Sequence, residues 1–322
     1  MSLTPRIDAL EKNYIINGNF DFWQRNTTFA TPSSGSYTSD RYVIGYNGSI
    51  GTFSISRQAF VNGQNDVPGN PSYFFRWDQT VAGSGSTARA VAQRIESVRT
   101  LANKIATVVF WAKADSARTV GVFMAQQFGT GGSPSSEVVL STQNVNLTTV
   151  WQRFKLTFSI PSILGKTIGT DNNDSLRLEW SLPLNTTMTI DLSSVMVLEG
   201  DKDPTEFIPA GRSVGDEFRL CQRYYQRGFQ GAFTVMFTTA NANLHIPLRV
   251  PMRVTPTASN IAGVSLTNII NRIGAGDSTA TSIPGAISPI QGGTQFGSIS
   301  PTGSLGQPIT LNADLLQFDA EL

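Results

Sequence analysis

Apolar and polar positions alternate in short runs, and helical spacing is scarce. β-Branched and aromatic runs are broken by clusters of Gly, Asn, Ser, Thr and Pro, the pattern of an all-β chain. It predicts strands over Arg41–Tyr46, Gly51–Arg57, Tyr73–Trp77, Ile105–Ala112, Thr119–Gln126, Glu137–Leu140, Trp151–Ile160, Leu176–Ser181 and Met188–Leu198. IATVVFWA at Ile105–Ala112 is nearly unbroken apolar sequence, suited to the centre of a sheet. RFKLTF at Arg153–Phe158 alternates cleanly, so one face of that strand is wet. Gly129–Ser136 and Asn172–Asp174 read as turns. About eight or nine strands before residue 200 fit a β-sandwich of jelly-roll type.

A second regime starts near Asp201. EGDKDPTEFIPAGR is a connector, and VGDEFRLCQRYYQR after it is the best helix candidate, with Phe218, Cys221, Tyr224 and Tyr225 on one face. Strands are predicted again at Ala232–Thr238, Asn243–Leu248 and Val264–Ile270. From Pro256 to Leu311 only Arg272 and Asp277 are charged. So charge-poor a stretch is either linker-like or ordered against copies of itself, and its recurring Ile, Leu, Val and Phe favour the second reading. The expected layout is an arm at 1–12, a sandwich at 13–200, a connector and helix at 201–228, and a smaller β domain at 229–322.

Composition narrows the chemistry. Of 322 residues, 24 are Lys or Arg and 23 Asp or Glu, so the net charge of +1 argues against binding nucleic acid through an overall positive field. No apolar run is long enough for a membrane helix, and the N-terminus lacks a secretory apolar core. Cys221 and His245 are the single cysteine and histidine, which removes disulfide frameworks and most metalloenzyme and triad designs. Cys221 reads as a small buried hydrophobe. Asn17, Gly18 and Asn19 suit a bend with positive φ ahead of Phe20. Asp40 and Arg41 read as a charge pair near a sheet edge, and Trp151 as a core plug.

NYIINGNFDFWQR at Asn13–Arg25, with YTSDRY at Tyr37–Tyr42, resembles the opening of tailed-bacteriophage tail-fibre and receptor-binding proteins. WQRFKLTFSIP at Trp151–Pro161 and DLSSVMVLEGDKDPTEFIP at Asp191–Pro209 resemble segments of galactose-binding-like carbohydrate-binding modules. LCQRYYQR at Leu220–Arg227 and VPMRVTPT at Val250–Thr257 are similar to the helix and the C-terminal domain that follow in those phage proteins. The resemblance implies a virion protein that is made in the host cytoplasm and is not an enzyme. It would be a homotrimeric tail-fibre or tail-tip subunit, joined to other virion proteins by its N-terminal arm and adhering to host-surface glycan. Two alternatives stand beside it: an architectural part such as a head fibre, capsid decoration or baseplate protein, and a polysaccharide depolymerase.

A sugar ring stacks its C–H face on an aromatic ring, while amides, carboxylates and Arg satisfy its hydroxyls. The resemblance places that groove on the concave face of the sandwich, with Tyr42, Tyr46, Tyr73, Trp77, Gln126 and Trp180 as candidate contacts. It also offers Asp21 and Asp191 as carboxylates for a structural calcium, although calcium wants six or more oxygens. No other cofactor is expected. His245 becomes a metal ligand only if three copies meet on a threefold axis. Arg223, Tyr224, Tyr225 and Arg227 are the candidate subunit contacts. Glu96, Asp115, Glu137, Asp171, Asp174 and Glu179 are among the acids of this region, most of them in apparent loops, and their spacing picks out no catalytic pair.

Overall fold

The computed structural model describes residues 11–227, 233–236, 242–254, 256–260, 270–272, 287–290, 293–299, 308–311 and 316–322. The chain divides into a unit of Met1–Phe218 with Leu322, and a unit of Arg219–Glu321. The first contains β1 (Thr28–Ala30), β2 (Tyr42–Tyr46), β3 (Thr52–Ala59), β4 (Tyr73–Val81), β5 (Arg89–Glu96), β6 (Ile105–Ala114), β7 (Arg118–Gln127), β8 (Val138–Val139), β9 (Gln143–Leu147), β10 (Gln152–Ser159), β11 (Ser175–Ser181) and β12 (Met188–Glu199). One antiparallel sheet runs β1-β3-β4-β12-β6-β10, and the other runs β2-β5-β11-β7-β8 with β9 also on β7. The all-β class and the sandwich therefore stand.

Period-2 alternation builds the core. Phe53 and Ile55, Phe75 and Trp77, Val108 and Phe110, and Ile190 and Leu192 project from the first sheet, meeting Ile44, Val91, Val122, Met124, Leu178 and Trp180 from the second. Removing side chains of this size from water stabilises the fold by about 1.5–3 kcal/mol each. Polar residues of the N-terminal motif are buried too, and each has defined partners. Asn13 Oδ1 accepts from the N–H groups of Ile15 and Val197, both at 2.9 Å. Asn17, at φ 60°, donates its side-chain amide to Phe22 O, Ser39 Oγ and Asp40 O and accepts from Phe22 N–H. Gly18 is required by close approach: a Cβ there would lie 2.1 Å from Val195 O.

Asp40 and Arg41 are not a surface pair, as both are only 1% exposed. The Asp40 carboxylate accepts from Gln24 N and Nε2, while Arg41 donates to Arg94 O at 2.6 Å. Burial pushes the Asp40 carboxyl above its usual range, against the two Gln24 hydrogen bonds.

The helix α1 spans Val214–Gln222 and is capped by Ser213, whose Oγ accepts from Asp216 N–H at 3.1 Å. It stops short of the expected end at 228. Tyr225–Arg227 instead forms β13, which leads on to β14 (Phe233–Met236), β15 (Ala242–Pro247), β16 (Thr257–Asn260), β17 (Ile270–Arg272), β18 (Ile287–Ile290), β19 (Gly293–Ile299), β20 (Pro308–Leu311) and β21 (Leu316–Asp319). β13 and β16 flank β21 in one sheet, and a second runs β17-β20-β14-β15-β19-β18. Ala232–Thr238 and Asn243–Leu248 find counterparts in β14 and β15, whereas all of Val264–Ile270 but its last residue lies outside the described residues, as does the arm before Glu11. Within the second unit the Gln226 side chain bridges Arg249 N–H and Val250 O. The guanidinium of Arg253 reaches Ala320 O and Glu321 O.

Candidate functional site

Most of the expected glycan contacts lie inside the sandwich. Tyr42, Trp77 and Gln126 are 0% exposed and Trp180 3%. Their strand positions face the opposite sheet: Tyr42 packs on Phe20 at 4.5 Å, Trp77 stacks on Phe53 at 4.6 Å, and Trp180 meets Phe110 edge-on at 5.6 Å. Gln126 Nε2 donates to Pro161 O at 2.8 Å. Tyr46 is half-buried, edge-on to Phe53, and its hydroxyl donates to Pro32 O. The ring of Tyr73 is covered by the Arg57 guanidinium at 4.2 Å. Tyr42, Trp77, Gln126 and Trp180 are thus buried between the sheets, while Tyr46 and Tyr73 stay half-buried at their margins.

Outward-facing aromatic and charged side chains gather instead on the outer face of the β4-β12-β6-β10 half of the first sheet. Antiparallel register sets Arg76 beside Asp191, Asp191 beside Lys113, and Trp111 between Ser193 and Arg153. Phe110 and Ala112 point inward, so Trp111 and Lys113 point out. Asp191 accepts both Arg76 hydrogen bonds, Nε at 2.7 Å and Nη2 at 2.8 Å, with Lys113 Nζ at 3.7 Å. Asp78 lies along the same strand as Arg76, and its Oδ1 accepts from Thr189. The hydrogen bonds and charge of Asp191 push the Arg76 guanidinium pKa further up.

Over this charged row lies Trp151, which is not the core plug expected of it. Its indole lies 5.2 Å from Phe60 and edge-on to Phe74 at 5.3 Å, with Lys113 Nζ 5.2 Å from the ring. Trp111 and Trp151 are both half-buried, and among the described residues neither indole N–H has a hydrogen-bond partner. The face thus combines flat apolar rings, free N–H donors and a rigid Arg–Asp–Lys row. The outer face of the other sheet is closed by comparison. There Arg177 is held between Glu137 at 3.0 Å and Glu179 at 3.1 Å, above a buried Phe123. Burial raises the Glu179 carboxyl, and the Arg177 charge opposes that rise.

The two carboxylates offered for calcium have different surroundings. Both oxygens of Asp191 are engaged by Arg76, whereas Asp21 responds to Glu217 and Arg57. Among the described residues, no three His, Cys, Asp or Glu side chains form a group able to hold a metal. His245 falls in β15, where side chains are outside the described residues. Tyr224 and Tyr225 are each 2% exposed within one chain, and Tyr225 Oη bonds Gln317 Oε1 at 2.7 Å, so neither ring is available to a second subunit. Arg223 sits in the turn after α1 and Arg227 ends β13, exposed.

No family model matches the chain, and no curated protein matches it. Among solved structures it is similar to a putative sugar binding protein from Bacteroides thetaiotaomicron (16% identity, 58% of this chain and 100% of that one, TM-score 0.39). It is also similar to a family 11 carbohydrate-binding module from Clostridium thermocellum in complex with a mixed-linked tetrasaccharide (8% identity, 55% and 98%, TM-score 0.34). A third is the enzymatically active domain of tailspike protein 4 of bacteriophage CBA120 (14% identity, 58% and 21%, TM-score 0.38).

Proposed function

We propose that the chain is a non-enzymatic attachment subunit of a tailed-bacteriophage virion, and that its sandwich binds host-surface glycan on the Trp111–Trp151 face. One observation carries the glycan reading: two half-buried indoles with unused N–H groups flank an ordered Arg76–Asp191–Lys113 row. Stacking on the rings supplies contact area, and the N–H donors and Arg76 orient the hydroxyls. The virion reading rests on the sequence resemblance at Asn13–Arg25, Tyr37–Tyr42 and Val250–Thr257. Several copies raise the avidity of weak sites, and a homotrimer is the form proposed.

A second reading keeps the virion and removes the sugar. The motif residues that carry the resemblance, Asn13, Asn17, Asp40 and Arg41, are all consumed in internal hydrogen bonds. They encode a fold that serves equally as an architectural module. A glycan array with the intact chain, repeated with Trp151→Ala and Trp111→Ala, decides between them. Specific binding lost in both variants, with each still unfolding cooperatively well above the assay temperature, supports attachment. Absence of binding to host cells and to every glycan moves the sandwich to packing.

A further inference from the structure

A cavity of about 280 Å³ opens between the Asn17–Phe22 turn and the start of α1. Its apolar walls include Phe22, Phe207 and Pro209, and Phe22 is fixed by stacking on Phe218 at 5.1 Å. Among the described residues two carboxylates line it, and no Lys or Arg does. Glu217 is already saturated: Oε1 accepts from Asn17 N–H at 2.6 Å, and backbone N–H groups of Gly211 and Ala210 bond the same carboxylate. Asp21 differs. Among the described residues its carboxylate accepts no hydrogen bond, and Arg57 donates instead to the Asp21 carbonyl oxygen at 3.4 Å. Asn19 uses its Oδ1 to accept from Ser194, leaving its amide N–H groups free of partners among the described residues.

The cavity therefore presents one unused carboxylate and one unused amide donor, beside a second negative charge and two aromatic rings. A neutral polyol would satisfy the hydrogen bonds but bring no positive charge to the two carboxylates, where Arg57 acts on Asp21 without bonding its carboxylate. A cation answers both, and the aromatic lining suits it further. We propose that this cavity binds a small organic cation through a primary ammonium seated at Asp21 between Phe22 and Phe207. Its volume, just under the usual range for drug-sized ligands, suits a hexosamine. A free polyamine is the other source of the same group. The site shares no residue with the Trp111–Trp151 face and stands independently of it.

Calorimetric titration of the full chain with glucosamine, glucose and putrescine tests the proposal. Glucosamine should bind at least about tenfold more tightly than glucose, and Asp21→Asn should abolish that preference. Val214→Trp, at a rim position 74% exposed, should block entry without altering any charge. Putrescine matching glucosamine supports the ammonium as the recognised group and assigns the source to polyamines. Equal binding of glucose and glucosamine, no binding of either amine, or calcium uptake that the amines do not compete for would each overturn it.

Discussion

Replacing Asp21 by Asn should stabilise the protein at neutral pH and leave it unchanged in acid. The Asp21 carboxyl is pushed up from 3.8 to about 6, first by burial and then by the Glu217 charge, with Arg57 opposing. The raised value means that the fold prefers the protonated form. That preference is fully present below pH 3.8 and is lost as pH rises through 6. At about 1.36 kcal/mol per unit the shift corresponds to at most about 3 kcal/mol. Asp21 is only half-buried, so solvent screening reduces the effect to about 1–2 kcal/mol. Asn carries no charge to desolvate and none for the Glu217 carboxylate to repel. Urea unfolding of both proteins from pH 4 to pH 7.5 measures the difference. The curves should coincide near pH 4, and the variant should lead by about 1–2 kcal/mol above pH 6.5. A gap that does not vary with pH, or one that favours Asp21 at neutral pH, refutes the burial argument.

Other expectations follow from the same packing. Gly18→Ala should cost more than about 3 kcal/mol or prevent folding, since the new Cβ meets the Val195 carbonyl at 2.1 Å, whereas Gly35→Ala, in open space at φ +88°, should cost only about 1 kcal/mol by thermal melting. Asp191→Ala should lower stability by about 2–3 kcal/mol in urea, because Arg76 and Lys113 lose their shared counter-charge; an unchanged midpoint refutes the role given to that row. Trp180→Ala should cost about 3–5 kcal/mol, and Trp151→Ala, which loses its contacts with Phe60 and Phe74, about 1–2 kcal/mol, so the pair separates core from platform by calorimetry. Sedimentation at tens of micromolar should give three times the 34.8 kDa chain mass, and a persistent monomer excludes the trimer.

Strong β runs were legible because burial on one or both faces leaves its mark on the sequence. β5 was not: RAVAQRIE is rich in helix formers. Its strand state comes from partners far away, including Gln93, whose amide bonds both the N–H and the C=O of Ile16 at 2.9 Å. The overrun of α1 has a similar cause. Tyr225–Arg227 continues the helical pattern, but pairing with Gln317–Asp319 draws it into a sheet. No local propensity records a partner some 90 residues on.

The proposed Trp111–Trp151 face is hidden for a different reason, one that residue type alone does not resolve. Trp77, Trp111, Trp151 and Trp180 are chemically alike, and strand parity separates the core Trp77 and Trp180 from Trp111. In IATVVFWA the apolar block hides that parity, since Val108, Phe110 and Ala112 point in while Trp111 points out. The neighbouring strand held the missing signal. Arg153 and Lys155 mark the wet face of β10, and antiparallel register pairs them with Trp111 and Val109. An outward Trp beside two outward cations is therefore readable once the strands are paired. It also explains why the shared motifs say little about ligands. Asn13, Asn17 and Asp40 are bound into the scaffold and tolerate little change, whereas Trp111 and Trp151 lie outside the core between the two sheets. The specificity of such a module resides at the positions the fold leaves free.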